Sequence, residues 1–119
     1  MRRALSATFL CWAVAATPIS VTDGDTFSAR VRVWPGLVAE ETVRVLGVNA
    51  PERKGATREA GDAARAFTAS WLHEAEIRLH TCERDAFGRL LATVTRKHDG
   101  ANLATDLMGG DYAQPYKPR

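Results

Sequence analysis

The chain is short of several things, and each shortage closes off a class of function. It has two cysteines in 119 residues, so neither a disulfide-rich scaffold nor a cysteine-based zinc cluster is available. Aromatic residues make up 8%, which leaves little material for an extended base-stacking platform. No apolar run is long enough to span a bilayer as a stable helix. Charge of one sign is also lacking: 16 basic and 14 acidic residues give a formal net charge of +2. Affinity for a polyanion would have to come from local placement of charge. No internal repeat or low-complexity segment is visible. The length suits one domain with one modest core.

The first residues read as an export signal. Arg2 and Arg3 precede a mostly apolar run through Trp12, and Ala13-Val14-Ala15 is a small-x-small cleavage pattern. Residues 1–15 are therefore expected to be a signal peptide, with a secreted or periplasmic mature domain over 16–119. Removing the two arginines would leave 14 basic against 14 acidic residues, a net charge of zero. Cys11 falls in this segment. Cys82 would then be the sole cysteine of the mature chain, expected to face the core as a small apolar side chain.

Beyond residue 17 the pattern is mostly β. Strands are expected at 18–22 and 26–33, where Phe27, Ala29, Val31 and Val33 alternate with polar residues. A third strand is expected over Thr42–Val48. A loop follows at 49–58, broken by Pro51 and Gly55. Ala60, Ala63, Ala64, Phe67 and Trp71 then recur at helical spacing over about 58–74. Further strands are expected at 77–81 and 90–95. A short helix capped by Asn102 is expected through Met108, with Gly109-Gly110 ending it. This order fits a mainly β (α+β) fold, a five-stranded Greek-key barrel of the OB type. One helix lies between strands 3 and 4, and a short second helix follows.

Four stretches carry the chemistry. Asp23-Gly24-Asp25-Thr26 puts two hard oxygen donors at the head of a strand. Arg44 is a planar guanidinium among apolar strand neighbours, costly unless an anion pairs with it. Glu52 follows Asn49-Ala50-Pro51 in a loop, where a carboxylate can act on a water. Asp85-Ala86-Phe87-Gly88-Arg89 is a hairpin turn that opens a strand with an arginine. Each has an ordinary structural explanation: an Asp-Gly turn, an ion pair, a solvated loop charge, an exposed hairpin arginine.

In this order and at these separations, DGDT, the strand-borne arginine, NAPE and DAFGR together resemble the staphylococcal (micrococcal) nuclease family, from about Thr17 to Pro118. The segment DGANLATDLMGGDYAQPYKP adds to the resemblance. The family implies an OB barrel that cleaves DNA or RNA with calcium and leaves a 3′-phosphate. Carried over by residue, the resemblance makes Asp25 and Asn49 side-chain calcium ligands and the Ala50 backbone carbonyl a main-chain ligand. Asp23 becomes a supporting carboxylate beside them. Glu52 becomes the residue that activates water, and Arg44 and Arg89 the grip on phosphate. Phe87 and Tyr116 fall on the substrate side. Asn49 stands where the family has a second aspartate, which removes one negative charge. Phe87 stands in place of a tyrosine and Ala86 in place of a basic residue. The sequence ends at Arg119, where the best-known members continue into a third helix, so the domain over 16–119 is expected to lack that helix. The expected partners are DNA and/or RNA, with a monomer and no membrane association in the mature form. An inactive nuclease-like barrel that binds nucleic acid is the alternative, and a metal-free OB module for protein or oligosaccharide a further one.

Overall fold

The computed structural model describes residues 11–116. Five strands close into a barrel: β1 (Trp12–Asp23), β2 (Thr26–Trp34), β3 (Leu37–Val45), β5 (Ile77–Arg84) and β6 (Leu90–Arg96). Their order around the barrel is β1-β2-β3-β6-β5. All neighbours are antiparallel except β3 and β6, whose parallel pairing closes the ring. This is the expected mainly β, OB-type architecture. Helix α1 (Arg58–Leu72) follows the third barrel strand, after a 3-10 turn at Gly55–Thr57. Helix α2 (Leu103–Gly109) follows β6, and Asn102 caps it by accepting from the Thr105 N–H at 3.1 Å.

The core is what the alternation dictates. Phe27, Ala29 and Val31 of β2, Val43 and Val45 of β3, Ile77 and Leu79 of β5, and Ala92 and Val94 of β6 all point inward and are buried. Leu103 and Leu107 of α2 plug one end and are fully buried. A short pair of strands, β4 (Val48–Asn49) and β7 (Gln114–Pro115), ties the chain end back against the β3 turn.

Two strand boundaries differ from expectation. The strand expected at 42–48 instead runs over Leu37–Val45, and the chain turns at Leu46-Gly47. Gly47 has φ +87°, a conformation that ends the strand before Val48. The strand expected at 18–22 extends back to Trp12, because residues 12–16 pair with Ile77–Thr81 of β5. The weak β propensity of Ala13-Val14-Ala15-Ala16 is overridden by this pairing.

The expected boundary after Ala15 falls inside β1, and residues 1–10 of the expected signal lie outside the described residues. The cysteine expectation is corrected outright. Cys82 is exposed rather than core-facing, and it is disulfide-bonded to Cys11. The reason is topological: the β1–β5 ladder sets Trp12 opposite Thr81, so the next residues outward meet.

Candidate active site

The site is assembled at the turn between β1 and β2, and α1 is its platform. Gly24 lies so close to the helix that a Cβ added there would sit 2.7 Å from the Ala64 Cβ and 3.0 Å from the Ala50 Cβ. The glycine of Asp-Gly-Asp is therefore required by close approach, not by an unusual dihedral. Thr68 of α1 donates from its hydroxyl to the Gly24 carbonyl at 2.6 Å, in a buried contact. Two turns earlier, Gly61 packs on the backbone of Glu52 and Arg53. A Cβ at Gly61 would lie 2.6 Å from the Glu52 carbonyl carbon and 2.8 Å from the Arg53 nitrogen. Thr57 donates to the Glu52 carbonyl at 2.7 Å, and Arg53 donates to Asp62 and to the Thr22 carbonyl, each at 2.9 Å. The loop bearing Glu52 is thus fixed to the helix on one side and to β1 on the other.

This geometry carries a first prediction. Gly61→Ala gains roughly 1 kcal/mol of helix propensity but forces a methyl into backbone, at a cost of about 1–3 kcal/mol. The expected outcome is a net loss of stability, with the Glu52 loop displaced. Thermal unfolding should show a lower midpoint, and any activity that depends on Glu52 should fall more than oligonucleotide affinity does.

Asp25 is 7% exposed. Its Oδ2 accepts from the Ala50 N–H at 2.7 Å and lies 3.5 Å from Arg44 Nη1; its Oδ1 accepts from the Thr26 hydroxyl at 2.9 Å. Arg44 Nη1 also donates to the Val45 and Val48 carbonyls at 2.9 and 2.8 Å, and Nη2 donates to Asn49 Oδ1 at 3.2 Å. These contacts engage both Nη1 hydrogens and one Nη2 hydrogen, so Arg44 is anchored as well as present. Arg89 is different. Its Nε donates to Asp85 Oδ2 at 2.7 Å, while among the described residues neither Nη group has a protein partner. Its fork is available to an anion. Partial burial pushes the Asp85 carboxyl up. The Arg89 guanidinium, with the N–H groups of Arg89 and Phe87, outweighs that and holds it below the usual carboxylate range.

The predicted residues converge. One cavity of about 450 Å³ is lined by Asp23, Asp25, Arg44, Asn49, Ala50, Glu52 and Arg89. A second, of about 360 Å³, shares Arg44, Asn49 and Arg89 and adds Phe87 and Tyr116. Tyr116 donates its N–H to the Gly47 carbonyl at 2.9 Å, and its ring centroid lies 5.7 Å from the Arg44 guanidinium carbon. Phe87 is 83% exposed, with its ring 5.4 Å from the Arg89 guanidinium carbon. At Asp25 the contacting group of Ala50 is its N–H. Glu52 is exposed and 3.8 Å from Lys54. Lys54 and Arg53 also line the first cavity and were not singled out from sequence; their place beside Glu52 in PERK was the available signal. Gly61, Ala64 and Thr68 were missed as well, because only the folded packing reveals what they touch.

The donor set suits a hard cation. Asp25, Asn49 and Asp23 offer carboxylate and amide oxygens, and among the described residues no sulfur or imidazole lines the cavity. Among the described residues no three acidic, histidine or cysteine side chains are grouped closely enough to hold an ion between them, so an ion here would keep much of its water.

The fold is an OB-type closed barrel whose cleft mixes acidic and basic side chains. The family comparison agrees: residues 42–118 match the model described as staphylococcal nuclease homologue. The chain belongs to that family. No curated protein matches the chain. Membership points to a nuclease-type or nucleic-acid-binding function.

Proposed function

We propose that the protein hydrolyses phosphodiester bonds of DNA and/or RNA in a calcium-dependent reaction. The observation that supports this most is the meeting of Asp25, Asn49, Glu52, Arg44 and Arg89 around one cavity. Acidic and basic groups are needed together there: oxygens for the cation, guanidinia for the ester.

In this reading Asp25, Asn49 and the Ala50 carbonyl hold calcium, with Asp23 beside them. When bound, the ion supplies positive charge that offsets the anionic phosphate. Glu52 orients the attacking water and takes its proton. Arg89, with its free fork, holds phosphate oxygens as charge builds, and Arg44 supports the same anion with its remaining donors. Phe87 and Tyr116 flank the path of the nucleotide chain. The proposal includes export to an oxidising compartment, supported by the Cys11–Cys82 bond, which requires that Cys11 stay on the mature chain and so excludes cleavage after Ala15. N-terminal sequencing of exported protein tests it and shows whether Cys11 is retained.

A second reading, binding without cleavage, is favoured by one observation: Arg44 is engaged with Asp25, Asn49 and two backbone carbonyls. A nicking assay with and without calcium separates the readings. Calcium-dependent cleavage supports the enzyme; tight binding with no cleavage at any calcium concentration rules it out.

Asn49 supplies a further prediction. Asn49→Asp adds one negative charge beside Asp25, and calcium affinity should rise on the order of tenfold. Arg44, 3.2 Å away, would hold the new carboxylate in place. Isothermal titration that finds affinity unchanged or weaker would remove Asn49 from the ligand set.

A further inference from the structure

We infer that the outer face of the barrel over β1, β2 and β5 is a second contact surface, one that carries a single-stranded polynucleotide beyond the cleft. The inference rests on the proposed class of substrate, not on its cleavage.

Alternation places the residues. In β2, Phe27, Ala29 and Val31 are buried, so Arg30 and Arg32 point outward and are exposed. In β5, Ile77, Leu79 and Thr81 are buried, so Arg78 and His80 point outward and are exposed. Register then brings them together. Ala15 pairs with Arg78 and Ala13 with His80. Ala16 pairs with Val31, so the next step of the ladder sets Arg32 on the other side of Ala15. Arg32 and Arg78 thus flank one alanine, two strand spacings or about 10 Å apart. Ala13 and Ala15 carry only methyl groups, which leaves the floor between the cations open.

These arginines differ from most others of the fold, although Arg58 likewise has no ion pair among the described residues and Arg65 donates only to the Val21 carbonyl. Arg44, Arg53, Arg84, Arg89 and Arg96 each sit in an ion pair. Among the described residues Arg30, Arg32 and Arg78 have no ion pair and no side-chain hydrogen bond. The carboxylate opposite Arg30 is Glu40, paired through the backbone only. With a net charge of just +2 for the whole chain, three unpaired guanidinia on one face are a local concentration rather than a general excess. Guanidinium forks match phosphate oxygens. Trp34, 72% exposed at the tip of the β2–β3 hairpin, stands two residues beyond Arg32, where a base can stack on it. The same side of β2 leads back to Thr26, which pairs with Arg44 at the cleft. Arg32 lies six steps along the strand from Thr26, about 20 Å.

The test uses the full chain, chelator to stop cleavage, and fluorescence anisotropy on two oligothymidylates, one of about 5 nucleotides and one of about 20. In the variant Arg30→Glu/Arg32→Glu/Arg78→Glu, affinity for the longer strand should fall at least tenfold. Its log–log salt slope should shrink by about 2, from three lost phosphate contacts on a single strand. Affinity for the short strand should not change. The neutral Gln triple variant should move in the same direction, and unchanged thermal midpoints for both variants assign the effect to contact rather than folding. Unchanged affinity and slope for the longer strand in both variants overturns the inference. So does loss of binding to anionic phosphatidylserine vesicles with binding to the longer strand intact. Calcium-dependent cleavage of the short strand is read in parallel. If no protein cleaves it, the catalytic proposal fails alone, and the anisotropy result still decides this surface.

Discussion

Asp25→Asn is expected to remove cleavage and to loosen the fold in the same step. The substitution keeps the shape of the side chain and deletes its charge. On the catalytic side, if the proposed calcium site is right, loss of the one buried carboxylate of the site would remove its principal anchor, an effect of several kcal/mol on the barrier, or on the order of 10³ in rate. On the structural side, Asp25 is the acceptor for the Ala50 N–H at 2.7 Å and the anion 3.5 Å from the half-buried Arg44. An amide meets one with a weaker acceptor and leaves the other without its counter-charge, which should cost about 2–3 kcal/mol. Arg89→Ala is the contrasting control. Arg89 touches the protein mainly through Asp85, so its removal should cut the rate by about 10²–10³ with little change in stability. Single-turnover cleavage and denaturant titration on both variants give the four numbers. Asp25→Asn retaining a tenth of the wild-type rate, at calcium levels near the wild-type requirement, would remove Asp25 from the metal site.

That contrast between Asp25 and Arg89 shows what sequence can and cannot carry. The barrel was legible because Phe27, Ala29 and Val31, or Ile77 and Leu79, alternate cleanly with polar residues, and period 2 maps directly onto in and out. The candidate site was legible as an ordered set of short motifs, each at the end of a strand or in a loop. What was not legible is who touches whom. Nothing in the string says that Arg44 is held by the Val45 and Val48 carbonyls while Arg89 keeps its fork free; that depends on where β3 ends, and the strand was expected three residues too far along. Nor does the string say that Gly24 and Gly61 are glycines because α1 lies against them. Close approach is a property of two segments, and a single-residue pattern cannot report it. The expectation that Cys82 is buried failed for the same reason. Cys11 sits in an apolar, alanine-rich run that reads equally as an export signal and as strand, and only its ladder with β5 gives Cys82 a partner.

That bond yields the largest stability effect expected of any single change outside the cleft. Cys11 and Cys82 are separated by 71 residues. Closing a loop of that length removes about 4 kcal/mol of unfolded-state entropy. The bond also fastens the first residues of β1 to β5 where the ladder would otherwise fray, beside the exposed Trp12. Cys82→Ser, or reduction of the wild type, should lower the thermal midpoint by roughly 15 °C. Neither cysteine lines the cavity that holds Asp25, Glu52 and Arg89. The rate at a temperature well below the new midpoint should therefore stay within about twofold of wild type, since no contact to the reacting groups is lost. Calorimetry with and without reductant measures the first effect, and a low-temperature nicking assay the second. A midpoint that moves by less than about 3 °C on full reduction would mean that the β1–β5 ladder holds without the bond. A rate that collapses while the barrel stays folded would mean that the strand carrying Asp23 transmits strain from one end of the barrel to the other.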